Sequence, residues 1–246
     1  MAAKGQPYPS VWARPERRRR EQPALSREQI VAEALAILDA EGLEALSMRK
    51  LGTRLNAGAT SMYSHVTNKD ELIELVLDEV YGEIRIPLPE GPDGWREAAR
   101  SSAHAVRAAV LRHPWMASVL GDIALASLGP NVLRMSEDML TLFETSGFTP
   151  EHAGTAMNTL IAFVMGGTLS EAAWLAGLAR SDQDEEQWMA RMMPAAEAAV
   201  LPYPRVRRQF DALKETGSEQ SRGSEFDLGL DVLLDGLALL RTPAAG

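Results

Sequence analysis

Between Leu46 and Leu72 the chain reads LSMRKLGTRLNAGATSMYSHVTNKDEL, and this stretch concentrates side chains suited to touching a nucleic acid. Arg49 carries a planar donor fork that matches the two acceptors on a guanine edge. The hydroxyls of Thr60 and Ser61 can bond to base edges or phosphates, and the threonine methyl can meet a thymine methyl. Tyr63 and His65 suit phosphate contacts, which fix register rather than sequence. The free amides that open a helix after Asn68 also favour an anion. A lone tyrosine or histidine in a helical protein is commonly packing or incidental surface. Here the convergence of six polar or basic groups on one small surface favours the nucleic-acid reading.

These side chains need short helices at fixed angles, and the local signals supply them. Ser26 with Gln29 forms a capping box, and Ile30, Val31, Ala34, Leu35 and Leu38 form one apolar stripe at helical spacing. Gly42 ends that helix, because glycine tolerates the left-handed conformation past a helix terminus. Ser47 caps a second helix, with Met48, Leu51 and Leu55 inward and Arg49, Lys50 and Arg54 outward. Asn56-Ala57-Gly58 breaks the chain, and a short segment from Ala59 to His65 follows. Asn68 with Glu71 reads as a second capping box, ahead of a helix carried by Leu72, Ile73, Val76, Leu77 and Val80. Two helices around a tight turn are how a helix is presented to the major groove of DNA.

Residues 1–25 contain four prolines, little apolar material and the run Arg17-Arg18-Arg19-Arg20, which predicts a flexible basic arm. That run reads either as a solvated charge cluster or as a phosphate or minor-groove contact. The net charge of −9 conceals an asymmetry. Through Lys69 there are 11 basic and 7 acidic residues, or +4, against 14 and 27, or −13, beyond it. A basic head on an acidic body confines DNA to one end of the molecule.

After the Pro87–Gly94 loop the pattern is helical throughout, with helices expected near 95–112, 114–120, 130–146, 150–178, 184–199, 203–215 and 224–241. The segment Gly217–Gly223 reads as a loop. In the last helix Phe226, Leu230, Leu233, Leu237 and Leu240 recur at steps of three and four, widened by Leu228 and Leu234. Such a seam packs internally or forms a helix–helix dimer interface, and the 150–178 helix is its expected partner. Gly166 and Gly167 each cost about 1 kcal/mol mid-helix relative to alanine, which suggests close backbone approach or room for a ligand.

Residues 26–81 resemble the tetracycline-repressor (TetR) family of bacterial regulators, through GLEALSMRKLGTRL, SMYSHVTNKDEL and the order of caps. The remainder is similar, more loosely, to that family's C-terminal domain, through RHPWM, LGPNVLRMSEDMLTLFETSGFTPEHA and FDLGLDVLLDGLALL. The resemblance implies an all-α fold, with a helix-turn-helix DNA-binding domain over 26–85 and an effector-binding and dimerisation domain over 86–246. It implies a homodimer through the C-terminal helices, a double-stranded operator as partner, and a small-molecule cavity in each body. Effector binding would tilt the heads away from two successive major grooves. The family's base- and phosphate-contacting places fall on Arg49, Thr60, Ser61, Tyr63, Ser64 and His65, and Lys69 would meet phosphate. Departures at Ala59 and Ser64, where the tetracycline-responsive members carry larger groups, bear on the operator sequence rather than on the activity.

For a ligand, the body offers Trp115, Phe143, Phe163 and Trp174 with Met116, Met139, Met157 and Met165, while Asn158 and Thr168 are candidate polar handles. Thioethers adapt and ring faces stack, so such a lining suits a planar or irregular apolar molecule. Each of these residues also reads as ordinary core or as a local hydrogen bond. The tetracycline-responsive branch holds magnesium through a histidine after its short helix. Between Pro114 and Glu151 this chain has none, so the expected effector is another natural product, an antibiotic or a biosynthetic intermediate.

Other classes find less support. The chain has no cysteine, so a thiolate metal site, a disulfide scaffold and a cysteine nucleophile are excluded. His65, His104, His113 and His152 lack metal-ligand spacing, and no glycine-rich phosphate loop or Gly-x-Ser-x-Gly elbow occurs. Asp182, Asp184 and Glu185 fall in an expected surface loop. No catalytic residue, metal or cofactor is expected. MAAKGQPYPS lacks the apolar core of a signal peptide and no apolar run is long enough to span a membrane, so a cytoplasmic protein is expected. The alternatives are a helical ligand- or partner-binding dimer that does not use DNA, and a DNA binder without an effector.

Overall fold

The computed structural model describes residues 25–241, apart from 92, 124–128, 180–184 and 217. The Arg17–Arg20 run therefore lies outside the described residues, as do Asp182 and Asp184. Eleven α-helices and one short 3-10 turn make up the regular structure, with no strand among the described residues.

The head comprises α1 (Arg27–Glu41), the 3-10 turn Leu43–Ala45, α2 (Met48–Arg54) and α3 (Ala59–His65), followed by α4 (Lys69–Glu83). The first capping box forms as expected: the Gln29 amide donates to Ser26 Oγ at 3.1 Å and the Ser26 amide to Gln29 Oε1 at 2.9 Å. Gly42, at φ +79°, closes α1 by donating its amide to Leu38 O. Ser47 caps α2 through the Lys50 amide at 3.2 Å. The second capping box forms only in part. Asn68 Oδ1 accepts from the Glu71 amide at 2.8 Å, whereas the Glu71 carboxylate accepts from the Thr67 amide rather than that of Asn68. In the turn, Asn56 takes the left-handed conformation (φ 48°), and Gly58 opens α3 from an extended one.

The body contains α5 (Trp95–Arg112), α6 (Met116–Ile123), α7 (Pro130–Thr145), α8 (Pro150–Ala179), α9 (Glu185–Val200), α10 (Pro204–Thr216) and α11 (Ser218–Ala238). Helix α8 packs along α5 and α7, and α4 reaches from the head onto α7. Buried side chains of head and body belong to one cluster, from Ile30, Leu51 and Met62 through Val76 and Trp95 to Leu160 and Leu234.

Three expectations need correction. Helix α11 begins at Ser218, so the described part of Gly217–Gly223 is helical. Leu228 does not widen the inward seam: it is 67% exposed, while Leu230, Leu234 and Leu237 are buried. A period of 3.6 places Leu228 on the opposite face from Leu230. Gly166 and Gly167 face outward with nothing within 4 Å of an added Cβ, so no close backbone approach within this chain explains them.

Candidate nucleic-acid interface and ligand site

Three cations project from α2, and their surroundings differ. Lys50 pairs with Glu41, and Arg54 with Glu33 (2.5 Å) and Glu41 (3.6 Å), so both are turned back onto α1. Arg49 is exposed and makes no ion pair among the described residues. It borders a groove of about 590 Å³ between α2 and α3, shared with Thr53, Asn56 and Tyr63. Tyr63 is 51% exposed on α3, Ser64 is exposed, and Ser61 and His65 are half-buried. The Ser64 hydroxyl donates to Ser61 O at 2.6 Å, which leaves its oxygen as an acceptor. The side chain of Thr60 lies outside the described residues. Met62 and Val66 of the same segment are buried and seat it in the head.

Lys69 is half-buried, and its ammonium donates to Leu43 O at 3.1 Å, tying the start of α4 to the 3-10 turn. An ammonium has three donors, so the group retains capacity toward a phosphate. Of the groove's further polar residues, sequence reasoning named Asn56 only as part of the chain break and did not single out Thr53. Their position beside the chain break was the available signal.

The seven expected ligand contacts do not share one lining. Phe143 is fully buried in a closed aromatic group, edge-on to Phe148 (5.2 Å) and tilted against Trp95 (6.4 Å). Trp115 and the buried Met116 lie where head meets body. Trp115 Nε1 donates to Asp39 Oδ1 at 2.8 Å, the same oxygen that lies 2.7 Å from His113 Nδ1. His113 Nε2 lies 3.3 Å from Glu83 Oε1, so this buried ring bridges α1 and α4. Asn158 is exposed on α8, and Met157 is half-buried.

Phe163 and Trp174, also on α8, belong to a different cluster. Phe163 packs at 5.5 Å on Phe226, and Trp174 stands edge-on to Trp188 at 5.8 Å. Around them run ion pairs that sequence reasoning missed. Arg96 pairs with Asp235, Arg100 with Asp231, and His104 Nε2 lies 3.0 Å from Asp227 Oδ1. The four-residue spacing on both helices was the missed signal, because it builds a ladder between antiparallel neighbours. Below the ladder Glu171 accepts from Arg107 at 2.7 Å and lies 3.4 Å from Arg222 Nε. Hydrogen bonding to Asp231 raises the Arg100 pKa further above its ordinary value. Among the described residues no group of three or more His, Asp or Glu is placed to hold a metal ion, and no helix is long and apolar enough to cross a membrane.

The chain is similar to known proteins over most of its length. The family model for the tetracyclin repressor-like C-terminal domain matches residues 87–241. An HTH-type transcriptional regulator of Saccharopolyspora erythraea is 35% identical over 93% of this chain and 91% of its own. The HTH-type transcriptional repressor DrrR1 of Streptomyces coeruleorubidus is 31% identical over 89% of this chain and 79% of its own. The crystal structure of the Streptomyces coelicolor TetR family protein ActR in complex with actinorhodin superposes with a TM-score of 0.72 at 32% identity, covering 91% of this chain and all of that one. With an exposed α2–α3 face at one end and a helical body at the other, the chain belongs to the TetR family of transcriptional regulators.

Proposed function

We propose that this chain is a ligand-responsive, DNA-binding transcriptional repressor that acts as a homodimer on a palindromic operator and is released by a small hydrophobic molecule. The observation that carries the reading is the contrast on α2. Lys50 and Arg54 are neutralised by α1 carboxylates, whereas Arg49 stands open beside Tyr63 on the face that α3 presents. The likeness to a repressor and to a structure holding actinorhodin supports repression and a natural-product effector. In this reading residues 26–85 are the DNA-binding domain and 86–246 the effector-binding and dimerisation domain. Arg49, Thr60 and Ser61 read bases. Tyr63, Ser64, His65 and Lys69 position the head on phosphates, and the basic arm 1–25 adds charge. The protein acts in the cytoplasm, without cofactor and without catalysis.

Selection from a random double-stranded pool tests this. The expected product is an inverted repeat whose half-sites lie about one helical turn apart, or a multiple of that. Gel-shift titration then measures its affinity with and without a panel of natural products. A shift released by one compound is the expected result. Enrichment of no sequence, with no shift at low salt, would overturn the reading.

A further inference from the structure

The groove between α2 and α3 carries a second side chain whose chemistry matches a base edge. Arg49, Thr53 and Asn56 line it beside Tyr63 of α3, over the buried Gly52 and Met62. Asn56 is exposed, and its carboxamide makes no hydrogen bond among the described residues. Its polar neighbours differ in kind. The Thr53 hydroxyl is spent on Arg49 O, to which it donates at 3.0 Å. Arg49 offers donors alone, and Tyr63 offers one hydroxyl. Only Asn56 sets a free carbonyl and a free amino group side by side on this groove.

The backbone beneath that carboxamide is held. The Asn56 amide donates to Thr53 O at 3.2 Å, and the Ala57 amide donates to Gly52 O at 2.9 Å. A Cβ at Gly52 would stand 3.1 Å from Ala57 O, so the turn lies close against α2. A short side chain on a fixed Cα has little freedom to lose on binding.

Asparagine at this position has an ordinary explanation in the backbone. Asn56 has φ 48°, a left-handed conformation that asparagine adopts more readily than most side-chain-bearing residues. Glycine satisfies the same requirement without strain. The turn therefore accounts for glycine or asparagine equally, and what asparagine adds is the carboxamide displayed on the groove.

We infer that Asn56 is a specificity-determining residue that selects an adenine in each operator half-site. On its major-groove edge adenine sets the N7 acceptor beside the N6 amino donor, which the amino group and carbonyl of a carboxamide match as a pair. Guanine shows two acceptors there, which suit the Arg49 fork and would set the Asn56 carbonyl against a lone pair. Phosphate oxygens are acceptors as well, so a phosphate would leave that carbonyl unused. Arg49 and Asn56 thus equip one groove to tell the two purines apart. This rests on the reading of the α2–α3 face as the DNA-binding surface, and it adds a base reader to it.

The test is selection from a random double-stranded pool by the full-length protein and by Asn56→Gly, which removes the carboxamide and keeps the turn. The variant should retain the wild-type melting temperature, because glycine holds this φ freely. It should recover the same inverted repeat, except that one adenine per half-site loses its preference. On the wild-type operator its affinity should fall about tenfold, the loss of one bidentate base contact. Replacing that adenine by 7-deazaadenine, which lacks the N7 acceptor, should weaken the wild type and leave the variant unaffected. If Asn56→Gly fails to fold, Asn56→Asp carries the same comparison, since it also tolerates this φ and loses the amino donor. An unchanged base preference in the folded variant would overturn the assignment. Equal weakening on every sequence would make Asn56 a backbone contact and overturn it too. Should the wild type itself enrich no sequence, the DNA-binding reading falls first and the assignment falls with it.

Discussion

The Asp78 carboxylate on α4 caps the first turn of α7 from across the helix pair, accepting from the Asn131 amide at 3.1 Å and from Asn131 Nδ2 at 3.1 Å. The Val132 amide donates to the same group at 3.1 Å. The helix from the head is thereby fastened to the body by a buried charge on otherwise orphaned helix-terminal amides. A Cβ at Gly129 would fall 2.0 Å from Asp78 Oδ1, so only glycine fits there. Asp78→Ala should cost about 2–3 kcal/mol in urea unfolding, because it strands buried donors. Gly129→Ala should cost a comparable amount alone and far less in the Asp78→Ala background. That non-additivity is the signature of one shared contact. Simple addition of the two losses would rule the contact out.

The phenol of Tyr81 follows from the same junction. Burial first, and then the negative charge of Asp78, raise its pKa above the ordinary 10.0. The folded state therefore holds this proton more tightly than the unfolded chain. The resulting stabilisation is complete below pH 10 and is lost as pH rises through the folded value. Urea unfolding followed from pH 8 to pH 11 should show a loss above pH 10 that Tyr81→Phe diminishes. Identical alkaline limbs for the two proteins would refute the linkage.

The head's cations supply a second contrast. Arg49→Ala should weaken operator binding and alter base preference in a repeated selection. Arg54→Ala, whose guanidinium is already paired with Glu33 and Glu41, should change DNA affinity by less than about twofold. Lys69→Ala should weaken all sequences about equally. Because Lys69 also holds Leu43 O, it should lower the melting temperature as well. Equal DNA losses for Arg49→Ala and Arg54→Ala would place the interface elsewhere.

Much of this organisation was legible in the residues, for reasons that can be traced. Caps are local chemistry, so Ser26, Ser47 and Asn68 marked the starts of α1, α2 and α4 without knowledge of the fold. The inward stripe of α1 was legible for the same reason, since Ile30, Ala34 and Leu38 share one side of a 3.6-residue period. What differentiates Arg49 from Arg54 is not local. It depends on where α1 leaves Glu33 and Glu41, which spacing within α2 does not encode. Asp78 on Asn131 and Glu171 between two arginines join residues more than fifty positions apart. Phe143 and Phe163 look alike as aromatics in a helical pattern. Only packing makes the first a closed core ring and the second a wall of the Arg107 cluster.

His113 predicts how head and body communicate. Its buried ring spans Asp39 of α1 and Glu83 of α4, and Trp115 shares Asp39. Asp39→Ala removes the head's side of this contact, leaving both ring donors without an acceptor and costing about 1–3 kcal/mol of stability. The variant should keep its operator affinity within a few fold, because the Asp39 carboxylate bonds His113 and Trp115 and not the side chains of the α2–α3 face. It should require more effector to release DNA, since coupling between sites needs a contact both can bias. An unchanged release curve beside a lowered stability would reduce the contact to scaffolding.

The outward face of α11 bears on assembly. Leu228 and Val232 are each 67% exposed and lie four residues apart on one side, while Leu239 is 85% exposed farther along. On α8, Ala162, Gly166 and Gly167 are also exposed, and no Cβ added at either glycine would meet an atom of this chain. Apolar ridges and small residues on two long helices of one subunit fit burial against the same pair in a second copy, since an isologous contact presents one patch to itself. Val232→Glu should therefore yield monomers in sedimentation velocity without altering helix content. It should also weaken binding to a two-half-site operator much more than to a single half-site, because the advantage of two linked heads is lost. A dimer of undiminished affinity in Val232→Glu would mean that subunits meet through another face.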